Sequence, residues 1–241
     1  MTILAMIEKM SEGLGRTCSI FFLTLLFSLP LGLVVAMLRR SRFAPVRGIM
    51  KVFISVLRGT PLMLQLLAVA YGPFYISRAI VRFAETVENP QFAQFLNDFA
   101  SLGVFSVARN KLFPLIIGFS LNYAAYFAEI YRGGIESMPV GQYEAAAVLG
   151  YSKFQTFMRI ILPQVIKRIL PSITNEVITL VKDTSLAFTL AYQEMFTIGK
   201  QIASSKASFM PFIIAGVFYY IFNSVVAFTM SRIEKRMNYY H

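Results

Sequence analysis

Apolar residues in this chain gather into five long runs, at roughly 15–38, 52–77, 112–131, 171–191 and 209–230. A helix crosses the hydrocarbon core of a bilayer with about 20 apolar residues, so each run predicts a transmembrane helix. Arg39 and Arg40 close the first run, and Pro61 inside the second removes a backbone donor and predicts a kink. Arg39, Arg40, Arg42, Arg47, Lys51 and Arg58 fall between the first two runs. Arg132, Lys153, Arg159, Lys167 and Arg168 fall between the third and fourth, and Arg232, Lys235 and Arg236 follow the fifth. Basic clusters on alternate loops mark the cytoplasmic side, which puts the N-terminus outside and the C-terminus in the cytoplasm.

The outer segment from 78 to 111 is long. Phe92, Phe95 and Phe99 recur there at i, i+3 and i+7 with Gln94, Asn97 and Asp98 between them, and Phe83 precedes them. That spacing makes one apolar stripe on a helix. Two readings stand: a helix lying on the outer membrane surface, or one packed over the spans. No internal repeat, low-complexity stretch or linker divides the chain, so residues 1–241 read as one membrane domain.

Composition supports the membrane class. The 241 residues are 56% hydrophobic with only 15% charged, and mean hydropathy is +0.61; a soluble domain carries roughly a quarter charged residues. The net charge of +11 follows from orientation on alternate loops and calls for no nucleic acid. One cysteine, Cys18, leaves no disulfide framework, and one histidine, His241, excludes an H-E-x-x-H site or a Ser-His-Asp triad. The apolar run beginning near Thr17 precedes its basic cluster, the reverse of a cleaved signal, and reads as a retained span.

The cytoplasmic loop between the third and fourth runs, 139–163, carries the most information. A short helix over Gln142–Leu149 ends at Gly150, since glycine takes the left-handed C′ conformation cheaply. Ser152 with Gln155 three residues on predicts a capping box for a second helix, which runs to Leu162 and is limited by Pro163. Glu144 is expected in the first turn, where helix polarity favours a carboxylate. Ala145, Ala146 and Ala147 leave a slim surface for another protein to approach. The result is a rigid protruding knob; an ordinary loop packed on its own bundle is the bland alternative.

Glu144, Ala145, Ala146, Gly150, Ile160, Leu162 and Pro163 match the pattern E-A-A-x3-G-x9-I-x-L-P. With Arg58-Gly59-Thr60-Pro61-Leu62 and Gln65, Leu121-Asn122-Tyr123-Ala124-Ala125-Tyr126 with Glu129, Arg132-Gly133-Gly134-Ile135, Asn175-Glu176 and Lys182-Asp183-Thr184-Ser185-Leu186, the chain resembles permease subunits of polar amino acid ATP-binding-cassette (ABC) importers. The long outer segment looks extended relative to that family. The resemblance implies an all-α, five-span type I ABC importer permease in a bacterial cytoplasmic membrane, with 139–163 as coupling loop. It also implies two copies of an ABC ATPase, a second permease subunit (identical or related), an extracytoplasmic solute-binding protein and an amino acid substrate. No G-x-x-x-x-G-K-[ST] segment occurs, so ATP and magnesium belong to the partner ATPase, and no cofactor or catalytic role is expected here.

Along the fourth run, Asn175, Glu176, Thr179, Lys182 and Asp183 fall within an arc of about 120° on a helix of 3.6 residues per turn. Intramembrane ionisable residues normally face a bundle interior or water, so the arc reads as a cavity wall; a structural ion pair is the alternative. Asn122, Tyr126 and Glu129 share a face of the third run, and Gln65 and Arg58 are the polar positions of the second. A zwitterionic amino acid needs donors for its carboxylate, available from Lys182, Asn122 and Gln65, and acceptors for its ammonium, available from Asp183 and Glu176. Two other functions compete. An ion-gradient-driven secondary transporter has no use for the knob, and five spans are few for inverted repeats. A membrane-embedded lipid enzyme lacks a metal cluster or activated nucleophile.

Overall fold

The computed structural model describes residues 2–103 and 111–237; part of the outer segment and His241 lie outside them. Ten α-helices occur among the described residues, with no strand. They are α1 (Ile3–Arg39), α2 (Ala44–Gly59), α3 (Leu62–Ala84), α4 (Pro90–Ala100), α5 (Leu112–Glu136), α6 (Val140–Val148), α7 (Lys153–Thr156), α8 (Leu162–Asp183), α9 (Met195–Lys206) and α10 (Met210–Met237). A π turn (Phe157–Ile161) joins α7 to α8, and a 3-10 helix (Thr184–Leu190) follows α8.

Helix α1 begins well before the predicted run. Its buried face is Met6, Met10, Gly13, Thr17, Ile20, Thr24, Ser28 and Gly32, a stripe of mostly small residues that lets helix backbones approach closely in a membrane. At Gly32 an added Cβ would lie 2.8 Å from the Phe127 Cβ and 3.0 Å from the Ala124 carbonyl, so the glycine sets how tightly α1 lies on α5. The central cluster draws Ile20 and Phe21 from α1, Leu66 from α3, Phe119 and Tyr123 from α5, and Val177 and Leu180 from α8.

The predicted second run is not a kinked helix but two helices. Thr60 is extended (φ −119°, ψ 150°) and Pro61 caps α3, because a residue before proline is pushed out of the helical region. The carbonyls freed at the end of α2 are met by side chains, Val56 by the Thr60 hydroxyl at 2.8 Å and Leu57 by the Gln65 amide at 2.8 Å. Four helices, α1, α3, α5 and α10, are long and apolar enough to cross a bilayer. The predicted fourth span, 171–191, corresponds to the second half of α8 plus the 3-10 helix; α8 also carries Lys167 and Arg168 besides the polar arc, which keeps its composition below that of the other four.

Helix α4 packs beside α3, as the second reading of the outer segment expects. Asn89 caps it, Ser77 of α3 donates to the Ala100 carbonyl at 2.9 Å, and Ala93, Leu96 and Ala100 form its less exposed edge. The phenylalanine stripe points outward, with Phe92, Phe95 and Phe99 47%, 61% and 43% exposed.

Helix α5 meets α8 through Gly134, where an added Cβ would lie 2.1 Å from the Ile169 Cγ2. Gly134→Ala is expected to destabilise the protein by about 1–3 kcal/mol through overpacking. Gly118→Ala should cost less, since the nearest atom, at 2.8 Å, is the free end of the Leu66 side chain. Thermal unfolding of the two variants in detergent checks the order.

Candidate functional site

The knob is built by two caps in series. Helix α6 starts after Pro139 and ends in a left-handed Gly150 (φ 77°). The Gly150 N–H donates to the Ala147 carbonyl at 3.0 Å and the Tyr151 N–H to the Ala146 carbonyl at 3.0 Å, the paired bonds of a Schellman end. Ser152 then opens α7 with both bonds of the capping box, its N–H to Gln155 Oε1 at 2.9 Å and its Oγ from the Gln155 N–H at 3.3 Å. Because α6 starts at Val140, Glu144 stands in its second turn, exposed, and not in the first. Of the alanines, Ala146 is buried while Ala145 and Ala147 face outward. Around them Val140, Val148, Leu149 and Phe154 are 69%, 88%, 73% and 72% exposed, an unusually apolar tip.

Pro163 does not end the second helix. It occupies the first turn of α8, and the chain widens into the π turn just before it, with the Leu162 N–H reaching the Phe157 carbonyl. A proline would clash with the carbonyl four residues back, at Arg159, and has no N–H to give it; the wider turn relieves both. Ile160 lies in this turn and Leu162 opens α8. Helix α7, the π turn and α8 are therefore one continuous rod. Gln164 of α8 braces it, donating to Gln142 of α6 at 3.3 Å, and Arg168 donates to both the carbonyl and the hydroxyl (3.0 Å) of Ser137.

At the far end of that rod is the polar arc. Thr174, Val177, Leu180, Val181 and Thr184 are buried, whereas Asn175 and Lys182 are exposed and Glu176, Thr179 and Asp183 half-buried. The arc thus forms the open side of α8. Asp183 is held from α5, its Oδ2 accepting from the Tyr123 hydroxyl at 2.7 Å. The Arg58 guanidinium lies 5.2 Å above the Tyr126 ring, within cation–π range. Arg58, Tyr126 and Glu129 line an open cleft of about 470 Å³ with Arg39 and Lys51. Glu129 is paired with Arg132 and lies 3.6 Å from Arg39, so it closes the cleft electrostatically instead of offering a free acceptor.

Gln65 and Asn122 do come together, but on the backbone break. Asn122 donates to Gln65 Oε1 at 2.9 Å and to the Leu57 carbonyl at 3.2 Å. Gln65 Nε2 donates to Leu57 and to the carbonyl and hydroxyl of Thr60. All their amide donors are engaged within the protein in this conformation.

Sequence reasoning missed one buried charge. Glu194 is fully buried and caps α9, accepting from Phe196 N at 2.7 Å, Thr197 N at 2.6 Å, Thr197 Oγ1 at 2.7 Å, and the Tyr219 hydroxyl at 3.0 Å. Thr17 of α1 stands 3.5 Å away. Its place just after the fourth apolar run is a visible signal, but the partners on α1 and α10 are remote in sequence.

The described residues have the architecture of a membrane transport subunit: four bilayer-length apolar helices, an exposed knob, and a polar face on the helix that leads from it. Comparison with known proteins makes the assignment specific: residues 28–239 match the family described as binding-protein-dependent transport system inner membrane component, and the chain belongs to that family. It is 34% identical over 220 residues to the nopaline transport system permease protein of Agrobacterium fabrum, covering 91% of this chain and 83% of the relative. It is 31% identical over 227 residues to the arginine transport system permease protein of Bacillus subtilis, covering 94% and 91%. The crystal structure of an amino acid ABC transporter with histidines superposes with TM-score 0.77 at 26% identity, over 98% of this chain and 99% of that one. An inward-facing methionine ABC transporter shares the fold, with TM-score 0.67 at 16% identity over 97% and 98%. The chain is accordingly a multi-pass inner-membrane permease subunit, a transport component, of the amino acid ABC importer family.

Proposed function

We propose that this subunit forms half of the translocation pathway of an ATP-driven uptake system for a polar amino acid or amino acid derivative. The whole chain acts as one permease domain. Five segments cross the membrane, α8 with its 3-10 extension being the fifth, with the N-terminus outside and the knob in the cytoplasm. Two ATPase subunits bind ATP and magnesium, a second permease subunit faces the polar arc, and a solute-binding protein delivers substrate from outside.

The observation that carries this reading is the unbroken rod from α7 to Asp183. Glu144, Ala145 and Gly150 present the docking surface, the buried Ala146 packs behind it, and Ile160, Leu162 and Pro163 form the joint. ATP-driven closure of the ATPases shifts the transmembrane equilibrium only through contacts that differ between the two states, and the exposed apolar tip supplies such contacts. Asn175, Glu176, Thr179, Lys182 and Asp183, with Arg58 and Tyr126 opposite, line the route. Gln65, Asn122 and Glu129 hold the walls in shape.

In proteoliposomes with the partner ATPase, Lys182→Met and Asp183→Asn are each expected to raise the apparent KM for the amino acid by about tenfold or more, the value of one charged hydrogen bond. Unchanged KM in correctly assembled variants contradicts the pathway assignment.

A further inference from the structure

On the knob's side of the bundle a groove of about 590 Å³ runs between α1, α5 and the start of α8. Leu33 and Met37 of α1, Ile135 of α5, Phe157 and Met158 of the π turn and Ile166 of α8 wall it. Arg40 is the one charged side chain among the described residues that line it.

Depth and charge together select an occupant. Leu33 to Arg39 is the last two turns of α1, a helix long and apolar enough to cross a bilayer, and Arg40 follows its end, so the apolar walls lie at acyl-chain depth and the guanidinium at headgroup depth. Arg40 enters no ion pair among the described residues, whereas its neighbour Arg39 faces Glu129. An unpaired guanidinium at the membrane surface suits a phosphate, which it meets through two parallel N–H donors. A second copy of this chain fits less well, because it brings another protein of net charge +11 against an uncompensated arginine. The other large apolar groove, between α1 and the outer half of α5, has no charged residue among its described lining and carries no such selection.

We propose that the groove holds one anionic glycerophospholipid, its acyl chain against Met37, Phe157 and Ile166 and its phosphate on Arg40. The site spans the joint where the knob's rod widens into the π turn. Occupancy packs Phe157 and Met158 and stiffens that joint, so membrane anionic-lipid content adjusts how faithfully knob movement reaches α8.

The test is native mass spectrometry of the delipidated full-length protein, titrated with phosphatidylglycerol or with phosphatidylcholine of the same acyl chains. The first bound lipid is expected to show about fivefold tighter retention of phosphatidylglycerol, the attraction of one basic residue near an anionic surface. Arg40→Gln removes that preference, Arg42→Gln (not among the lining residues) keeps it, and Met37→Trp, which fills the groove, weakens both lipids with unchanged thermal unfolding. Equal retention of the two lipids by the unmodified protein overturns the proposal. So does a preference that survives Arg40→Gln or falls equally with Arg42→Gln. A disulfide forming between two copies through Met37→Cys makes the groove a subunit interface and overturns it as well.

Discussion

Glu194→Ala is expected to lower stability by about 3–5 kcal/mol. The substitution leaves two backbone N–H groups and the Thr197 and Tyr219 hydroxyls facing a site where Glu194 now accepts from all four. A buried donor without an acceptor costs about 1–3 kcal/mol, and local rearrangement recovers part of the total. The loss falls on the junction of α9 with α1 and α10, where Gly13 already places the two backbones so close that a Cβ would sit 2.7 Å from Met195 N and Cα. Glu194→Gln keeps one acceptor oxygen and should fall between. The measurement is the thermal unfolding midpoint in detergent, with a drop of roughly 10 °C for the alanine variant; an unchanged midpoint means the carboxylate is not the tie between these helices.

The second large effect is functional. Gly150→Val forces a β-branched residue into left-handed backbone (φ 77°), which L-residues other than glycine occupy at a cost of about 1–2 kcal/mol. The angle between α6 and α7 must then change, because the cap bonds to Ala146 and Ala147 depend on that conformation. Combined with Glu144→Arg, which reverses charge on the exposed face of α6, the variant is expected to bind the partner ATPase at least tenfold more weakly. Pull-down with the purified ATPase measures it. The caps are local to the knob, so the thermal midpoint of the isolated permease should shift by no more than about 2 kcal/mol of stability implies. Full ATPase affinity in this variant contradicts the role given to the knob.

The knob was legible because its geometry is local. Gly150, the Ser152–Gln155 box and the alanine run are all decided within a few residues. Four of the five apolar runs overlap the long apolar helices α1, α3, α5 and α10, since bilayer thickness imposes a length. What escaped was non-local. Pro61 announced a disturbance, yet only the partners Gln65 and Asn122, the latter on a different helix, turn it into a complete break with satisfied carbonyls. Pro163 read as a stop, but a π turn absorbed it. The polar arc was visible as a helical face, while the Tyr123 hydroxyl that fixes Asp183 belongs to a residue 60 positions earlier that hydropathy treats as bulk. The small-residue face of α1 was hidden inside a run noticed only for its apolarity.

The rod from knob to polar arc makes its most direct test a measurement of accessibility. Cys18 is the one cysteine of the chain, so a Cys18→Ser, Thr179→Cys background places a single thiol on the arc. With the ATPase bound in nanodiscs, labelling at position 179 by a charged thiol reagent is expected to change at least severalfold between nucleotide-free and ATP-bound complexes. The same thiol in the Glu144→Arg, Gly150→Val background should label at one rate in both conditions. Labelling that responds to ATP equally with and without an intact knob would contradict the account.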